Sequence, residues 1–482
     1  MRILGISEGS HDACWALIED GEILEAHHAE RHSKDKNDKW LNPKLLPDAD
    51  VIVGHQFLDK VNERRKWSYQ KPMERNIVPD VEYNHHETHA WAGWATSPFD
   101  DCDILTIDAI GEWDTASVWE VRDGIWKHTW GMKYPKSYGL PYSQVTEQLG
   151  YKSMQDEYII MAMAALGGRY DRKDPKLFGF IDSVPKLAPM FCGASHNLHY
   201  LFEPRYENQR INMSKITTQK ARDLARNIQA HYEYYLTKLI QRHTSHENLI
   251  LGGGCALNCV ANSKIQGKSP NQIMDNWKRN VWIMPNPGDG GSALGAAARH
   301  YGKKLKWKGP YLGTEVPRMD PQKIVDELLN KGIAAVCSGR AEFGPRALGN
   351  RSLLADPRGK ITKLDIDLLK ERKEEWRPYA PAILAEHYNE YFQGPASEYM
   401  QFVAKHKTDK LPLVTATDWS ARVQLVEKDC ESVLREVLEL WYIETGCPVL
   451  LNTSLNKKGM PIVNDMVDYK KYTWWSGLND IS

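Results

Sequence analysis

The chain has 482 residues, 42% hydrophobic and 26% charged, with a formal net charge of -1. That length predicts two or three cores rather than one, in a globular protein of ordinary composition. A charge so near zero supplies no overall field to gather nucleic acid or an anionic membrane, so such contacts must be local. No apolar run approaches the roughly 20 residues needed to span a bilayer.

Met1 runs directly into Ile3-Leu4-Gly5-Ile6, which leaves no room for a secretory signal. Eight scattered cysteines without a Cys-x-x-Cys pair indicate neither a zinc site nor a disulfide framework, and predict a reducing cytoplasm. Residues 3–28 read as a strand (ILGIS), a second strand (HDACWALI), an Asp20-Gly21 turn and a third strand (EILEAHH). Residues 104–130 repeat the plan as ILTID, DTASVWEV, Asp123-Gly124 and IWKHTW. Ile3 and Ile104 stand 101 residues apart and the two Asp-Gly turns 103, so the registers agree within two residues. Asp-Gly between alternating apolar residues signals a hairpin. A strand–hairpin unit met twice predicts an α/β protein with two related subdomains facing a cleft, the plan of actin-like and sugar-kinase-like ATPases.

Residues 84–90 read NHHETHA. His85 and His89 are four apart, so a helix turns them the same way and His86 elsewhere. Asp108 ends the strand ILTID, and Asp289 sits in PGDGG. Two imidazoles and two carboxylates suit iron(II), manganese or zinc better than calcium. A helix N-cap is the other reading of Asp289. Helical spacing covers residues 143–166 and 217–243. Two strand–glycine–helix segments follow, ILGGGCALNCVAN (250–262) and VWIMPNPGDGGSALGAA (281–297). A glycine turn at a helix N-terminus presents backbone N–H groups to phosphate, so a nucleotide is expected there.

A Pro/Gly-rich stretch at 308–321 reads as a linker, followed by a helix over Pro321–Lys331 and a strand over Ile333–Val336. Next come Arg340, Arg346, Arg351 and Arg358, interleaved with glycine and proline (GRAEFGPRALGNRSLLADPRG, 339–359). Guanidinium forks and an open backbone predict a pocket for an anion with several oxygens, tied to a core by Phe343, Leu348, Leu353 and Leu354.

These pieces stand beside HDA (11–13), AER (29–31), YGLPYSQVTEQLGY (138–151), WRPYAPAIL (376–384), ARVQ (421–424) and LLNTSLNKKGMPI (450–462). With them the chain resembles the O-carbamoyltransferases of the nodulation, cephamycin and tobramycin type. The resemblance implies a duplicated actin-like (ribonuclease-H-like) domain over 1–310, a linker over 311–320 and an α/β carbamoyladenylate-synthase-like domain over 321–482. It implies that the C-terminal domain makes carbamoyladenylate from carbamoyl phosphate and ATP, the latter with magnesium. The N-terminal domain, with a divalent metal such as iron(II), would then carbamoylate a hydroxyl and release AMP.

Under that scheme Arg340, Arg346, Arg351, Lys373, Arg377, Arg422, Asn452, Ser454 and Asn456 would hold ATP and carbamoyl phosphate, with Arg346 and Arg351 also catalytic. Turn chemistry is the plain alternative for Asn452 and Asn456. His85, His89, Asp108 and Asp289 would hold the metal, which would polarise the carbamoyl carbonyl or orient the adenylate phosphate. Gly253, Gly254, Asn258 and Gly288 would contact the nucleotide. His11 or Asp12 would act as general base on the acceptor, with Asp114 at the paired position of the second repeat. The chain departs from the family pattern before Arg377. Glu371 and Lys373 stand where a Lys-x-Arg pair is usual, and Lys370 and Arg372 substitute only from a shifted register. Ile159 and Ala416 also replace a lysine and a histidine of the pattern.

The acceptor stays open between an antibiotic or sugar hydroxyl and a modified nucleotide, 5-hydroxymethylcytosine, alone or in DNA. KVNERRKWSYQK (60–71) and KKLKWKGPY (303–311) interleave basic and aromatic residues as a single strand or flipped base would require, or form two solvated faces. Two other readings are a threonylcarbamoyl-tRNA-type transferase and a non-catalytic nucleotide-binding scaffold.

Overall fold

The computed structural model describes residues 1–168, 178–181, 184–187, 218–266 and 279–482. They form two compact units. One comprises Met1–Leu4, Ser10–Asp50 and Lys306–Ser482; the other comprises Gly5–Gly9 and Val51–Leu305. Residues 10–50 thus cluster with the C-terminal part of the chain, a long-range return that no linker composition announces.

In the unit built on Val51–Leu305 a five-stranded sheet runs in the order Asn280–Ile283, Asn248–Gly252, Cys102–Ile107, Asp114–Arg122, Ile125–Lys133. The first three strands pair in parallel and the last three antiparallel. The strand Cys102–Ile107 is buried along its whole length, as a central strand covered on both faces must be. Val51–His55 and Val81–Tyr83 form a further parallel pair. The helices His85–Thr96 and Ser292–Tyr301 cross closely: a Cβ on Gly295 would lie 1.9 Å from the Thr88 carbonyl oxygen, so only glycine fits. Lys304 closes the first of these helices, its ammonium bonding the carbonyls of Trp94 and Phe99, each at 2.6 Å.

Both expected hairpins form. Cys14–Glu19 pairs with Glu22–His28, and Asp114–Arg122 with Ile125–Lys133. Their turns carry Asp20 and Gly21 at φ 47° and 85°, and Asp123 and Gly124 at 51° and 75°, the left-handed pair that an Asp-Gly hairpin uses. The helix expected over 217–243 spans Thr218–His243. The one expected over 143–166 is broken into Leu140–Gln148, Glu157–Met163 and a 3-10 turn, Ala164–Leu166. Gly150 and Met154 at φ 83° and 64° supply the break.

In the other unit a five-stranded mixed sheet runs Ile333–Cys337, Arg351–Ala355, Val449–Ser454, Ala380–Leu384, Gln424–Val426. Helices Pro321–Lys331, Leu434–Thr445 and Met466–Ser476 contribute to its core, with Trp441 fully buried. The stretch read as a linker is part of this unit: Tyr311–Val316 is a strand paired with Gly339–Glu342. Among the described residues no helix is long and apolar enough to cross a membrane, and Cys14, Cys102, Cys255, Cys259, Cys337, Cys430 and Cys447 are free thiols.

Candidate functional site

Asn84 starts the helix His85–Thr96, its side chain accepting the Glu87 amide. From there the residues of HHETH divide among four directions. His85 and His89 face inward together, their Nε2 atoms 3.2 Å apart. His89 Nε2 lies 3.3 Å from Asp108 Oδ2 and 3.3 Å from Asp289 Oδ1. His85 Nε2 lies 3.5 and 3.7 Å from the same two oxygens. His86 turns the other way, bonding Thr106 Oγ1 at 2.8 Å and the Asp114 carbonyl at 3.0 Å. Burial pushes its imidazole down to about 3, so it braces the sheet as a neutral ring. Glu87 meets Arg299, and Thr88 meets His55.

The two carboxylates are fixed from outside the helix. The amides of Ala109 and Gly254 donate to Asp108 at 2.7 and 3.1 Å. Burial opposes ionisation of Asp108, but the histidines outweigh it and hold the carboxyl well below its usual range. Asp289 opens a short 3-10 turn, while the cap position of the helix Ser292–Tyr301 falls to Gly291; Asp289 therefore faces the histidines rather than capping. All four residues assigned to a metal from the sequence come together.

The donor set fits an ion. It combines imidazole nitrogens with carboxylate oxygens, converging from three segments in a buried place. His55, His85, His89 and Asp289 offer ligand atoms within 4.8 Å of one another. Sequence reasoning missed His55, which ends the strand Val51–His55. A histidine at a buried strand end was the available signal. Also missed was Glu112, which is buried and accepts from the amides of Phe57 and His85 and the amide group of Asn84 at 2.8, 3.2 and 2.7 Å, joining three segments behind the site.

The glycine loops serve this centre directly. Gly254 packs on Asp108, and a Cβ on Gly288 would stand 3.4 Å from the Gly254 Cα. Asn258 is engaged elsewhere: its Oδ1 caps Ala261 at 3.0 Å, and it exchanges amide hydrogen bonds with Gln229 at 3.0 and 3.1 Å. The side chain expected to contact a nucleotide thus organises the loop instead. Asp114 sits half-buried at the start of its strand, with its carboxyl raised by burial against the pull of Lys133.

His11 and Asp12 lie in the other unit. His11 Nδ1 meets Asp12 Oδ2 at 2.8 Å, and Asn37 donates to Asp12 Oδ1 at 2.8 Å. Burial raises the Asp12 carboxyl, yet the His11 contact prevails and holds it at about 2. Asp12 thereby orients the imidazole.

The arginine loop divides its labour in a way the sequence hid. Arg351 is fully buried, and its guanidinium donates to the carbonyls of Thr314, Ser338, Gly339, Asn350 and Asn464 at 2.8–3.2 Å. Arg340 donates to the carbonyls of Leu24 and Leu312, each at 2.7 Å. Both were expected on a substrate; both instead hold backbone together, because the curled loop buries carbonyls that need donors. Glu342 completes the curl, one oxygen accepting the amides of Leu348, Asn350 and Arg351 at 2.7, 2.9 and 3.2 Å. Arg346 is half-exposed on the same loop.

Lys373, expected on an anion, is exposed, while Lys370 and Arg372 are buried. Glu371 at φ 50° ends the helix Lys363–Leu369 and sets this register. The Lys370 ammonium bonds the carbonyl of Ser454 and the carbonyl and side-chain oxygen of Asn456, the latter two at 3.1 Å. Burial first, then the charges of Arg377 and Arg372, bring it down to about 7. Arg372 stacks on Tyr379 at 4.6 Å, and its Nε and Nη2 are buried without a hydrogen-bond partner. Arg377 lies 3.9 Å from Glu374. Asn452 Oδ1 is likewise buried and unbonded, its amide nitrogen donating to Gln424 at 2.7 Å. Ser454 and Asn456 are joined at 2.6 Å within the turn. Arg422 lies half-buried on the same unit. The buried carboxylates of Asp367 and Glu374 stand beside these cations, Asp367 lying 3.9 Å from Arg372, and still leave two Arg372 N–H groups unbonded.

The basic, aromatic stretches fare differently. Lys306 and Lys308 pair with Glu22, and Lys304 is the helix cap described above. In the first stretch Tyr69 is 84% exposed and Trp67 43%, the latter resting edge-on against Trp113 and Tyr134.

Comparison with known proteins matches residues 47–298 to the family described as Carbamoyltransferase N-terminus and residues 325–481 to Carbamoyltransferase C-terminus. Nodulation protein NolNO of Sinorhizobium fredii is 30% identical over 95% of this chain and 76% of its own length. The 3'-hydroxymethylcephem-O-carbamoyltransferase of Amycolatopsis lactamdurans is 26% identical over 100% of this chain and 98% of its own. Among solved structures, full-length HypF in its phosphate- and nucleotide-bound form is similar over 62% of this chain and 46% of its own, with 14% identity and a TM-score of 0.32. The two family matches run through the histidine helix at one end and the buried cations at the other, and the chain belongs to the carbamoyltransferase family.

Proposed function

We propose that this enzyme is an ATP-dependent O-carbamoyltransferase with carbamoyl phosphate as donor. Water cleaves carbamoyl phosphate to carbamate and phosphate; a carbamate oxygen then bonds to the α-phosphorus of ATP, the bond to pyrophosphate breaks, and carbamoyladenylate results. The acceptor oxygen then bonds to the carbamoyl carbon, the bond to AMP breaks, and a base takes the hydroxyl proton. What carries this reading is the pairing of a convergent His/Asp centre with a buried cationic cluster in one chain of this family.

Lys370, Arg372 and Arg377 bind the donor's oxyanions, joined by Arg346 and Arg422, in place of Lys373, Arg340 and Arg351. His85, His89, Asp108 and Asp289 hold a divalent ion, iron(II) by preference, which when bound supplies Lewis-acid polarisation. Gly253, Gly254 and Gly288 keep the Asp108 side of the site open to a nucleotide phosphate. His11, oriented by Asp12, takes the acceptor proton; Asp114, a carboxylate of raised basicity, is the candidate base in the metal-bearing unit.

The acceptor carries a hydroxyl or hydroxymethyl group, with an antibiotic, a sugar and 5-hydroxymethylcytosine in nucleotide or DNA as the classes to test. The deciding experiment mixes protein, ATP-magnesium, iron(II) and carbamoyl phosphate with a panel from these classes and reads products by mass spectrometry. One added carbamoyl group, dependent on both donors, supports the proposal. ATP–pyrophosphate exchange driven by threonine and bicarbonate rather than carbamoyl phosphate would replace it with a threonylcarbamoyl transferase.

A further inference from the structure

His55 is 1% exposed, and its Nε2 is buried with no hydrogen-bond partner. Its ring centre lies 4.5 Å from that of His85 and 5.5 Å from that of His89. An unpaired imidazole nitrogen in such a place is a net loss of stability unless something meets it.

Thr88 decides which nitrogen carries the proton. The Thr88 hydroxyl donates to the His85 carbonyl at 2.8 Å. A hydroxyl has one hydrogen, so towards His55 Nδ1, at 2.6 Å, its oxygen can only accept. The Nδ1 of His55 therefore bears the hydrogen, and Nε2 keeps its lone pair. The opposite tautomer would bury an N–H with nothing to accept it. One helix thus supplies two imidazoles, His85 and His89, and through Thr88 sets the tautomer of a third.

We propose that His55 is a third imidazole ligand of the ion this centre takes, its Nε2 lone pair fixed towards the site by Thr88. The inference rests on the ion-binding reading given above. The ligand atoms of His55, His85, His89 and Asp289 lie within 4.8 Å of one another. Opposite donors at about 2.1 Å from an ion stand about 4.2 Å apart, so small side-chain movements close the shell. A hydrogen bond from the far ring nitrogen to a fixed oxygen is the usual support of a metal-bound histidine. Three imidazoles turn the preference from magnesium towards iron(II), cobalt(II), copper(II) and zinc.

The test uses the full chain loaded with one equivalent of copper(II), with the number of bound imidazoles counted by pulsed electron paramagnetic resonance. Wild type shows three and His55→Ala two. His55→Gln serves as the second variant should alanine not fold. Thr88→Val, which keeps the shape and removes the acceptor, weakens cobalt(II) binding in titration calorimetry about tenfold or more; Thr88→Ser restores it. Equal imidazole counts in wild type and both His55 variants, with unchanged cobalt(II) affinity, overturn the assignment of His55 while leaving the ion site intact. Failure of wild type to bind either ion overturns the ion site itself and His55 with it.

Discussion

Gly253 and Ile107 approach so closely that a Cβ on the glycine would stand 2.2 Å from the Ile107 carbonyl oxygen. Gly253 also sits at φ 82°, a conformation that L residues rarely adopt. Ile107 is the residue before Asp108, so pressure at this contact falls on a carboxylate of the His/Asp centre. Gly253→Ala is expected to destabilise the fold by about 2–4 kcal/mol. Thermal and urea unfolding measure the first effect, and titration with manganese(II) measures the accompanying loss of ion affinity. A variant as stable and as tight-binding as wild type refutes the contact.

Arg351 and Arg372 are both buried arginines, yet opposite outcomes are expected when each becomes methionine. Arg351 satisfies five backbone carbonyls, so Arg351→Met should destabilise by about 3–5 kcal/mol. Arg372 keeps two N–H groups buried and unbonded, and its acidic neighbour, Asp367 at 3.9 Å, retains Tyr379 and Lys363 as closer partners at 2.6 and 2.7 Å. Arg372→Met should leave ligand-free stability equal or higher, by up to about 1–4 kcal/mol, while binding of carbamoyl phosphate weakens tenfold or more. Urea unfolding and calorimetry on the two variants separate the roles.

Lys370 gives a pH dependence with a definite sign. Its ammonium is held near 7 against an ordinary 10.5. Between those values the unfolded chain binds the extra proton, so this group makes ligand-free stability rise with pH from about 7 to 10.5. An oxyanion reverses the preference by favouring the ammonium. The groups facing Lys370 are the like charges of Arg372 and Arg377 and the neutral oxygens of Ser454 and Asn456. Sulfate, which does not titrate in this range, should bind with proton uptake and lose affinity between pH 7 and 9. Lys370→Arg should flatten the profile. Calorimetry in buffers of different ionisation enthalpy reads the proton directly.

Ion binding should stabilise the fold. An ion present at about 100 times its dissociation constant adds about 2.7 kcal/mol when it binds only the folded chain. Iron(II) or manganese(II) should raise the melting temperature, a chelator should reverse the shift, and Asp289→Asn or His89→Ala should abolish it. A shift that persists in both variants places the ion elsewhere.

The order of elements was legible because it rests on local chemistry. Asp20-Gly21 and Asp123-Gly124 specify their hairpins within a few residues, and the four-residue spacing of His85 and His89 specifies a shared face. The partners that those histidines meet were legible in type, since Asp108 ends a strand and Asp289 follows a glycine turn. Roles set by tertiary burial were not. Nothing in GPRALGNR distinguishes an arginine facing solvent from one that must satisfy buried carbonyls, because that need arises only once the loop curls around Glu342. Lys370 and Arg372 are buried while Lys373 is exposed because Glu371 takes a left-handed backbone, which one residue of sequence does not declare. His55 escaped notice because its helper, Thr88, is 33 positions away in the chain.

The five residues from His85 to His89 face, in turn, the Asp108 and Asp289 carboxylates, the sheet, Arg299, His55 and the two carboxylates again. An α-helix advances about 100° per residue, so inserting or deleting one residue there would hand each neighbour the wrong side chain. The segment should therefore accept exchanges at Glu87 on its outer side and reject every change of length. A deep scan of substitutions and single-codon indels across 84–96 would map that rigidity as a reading frame written in three dimensions.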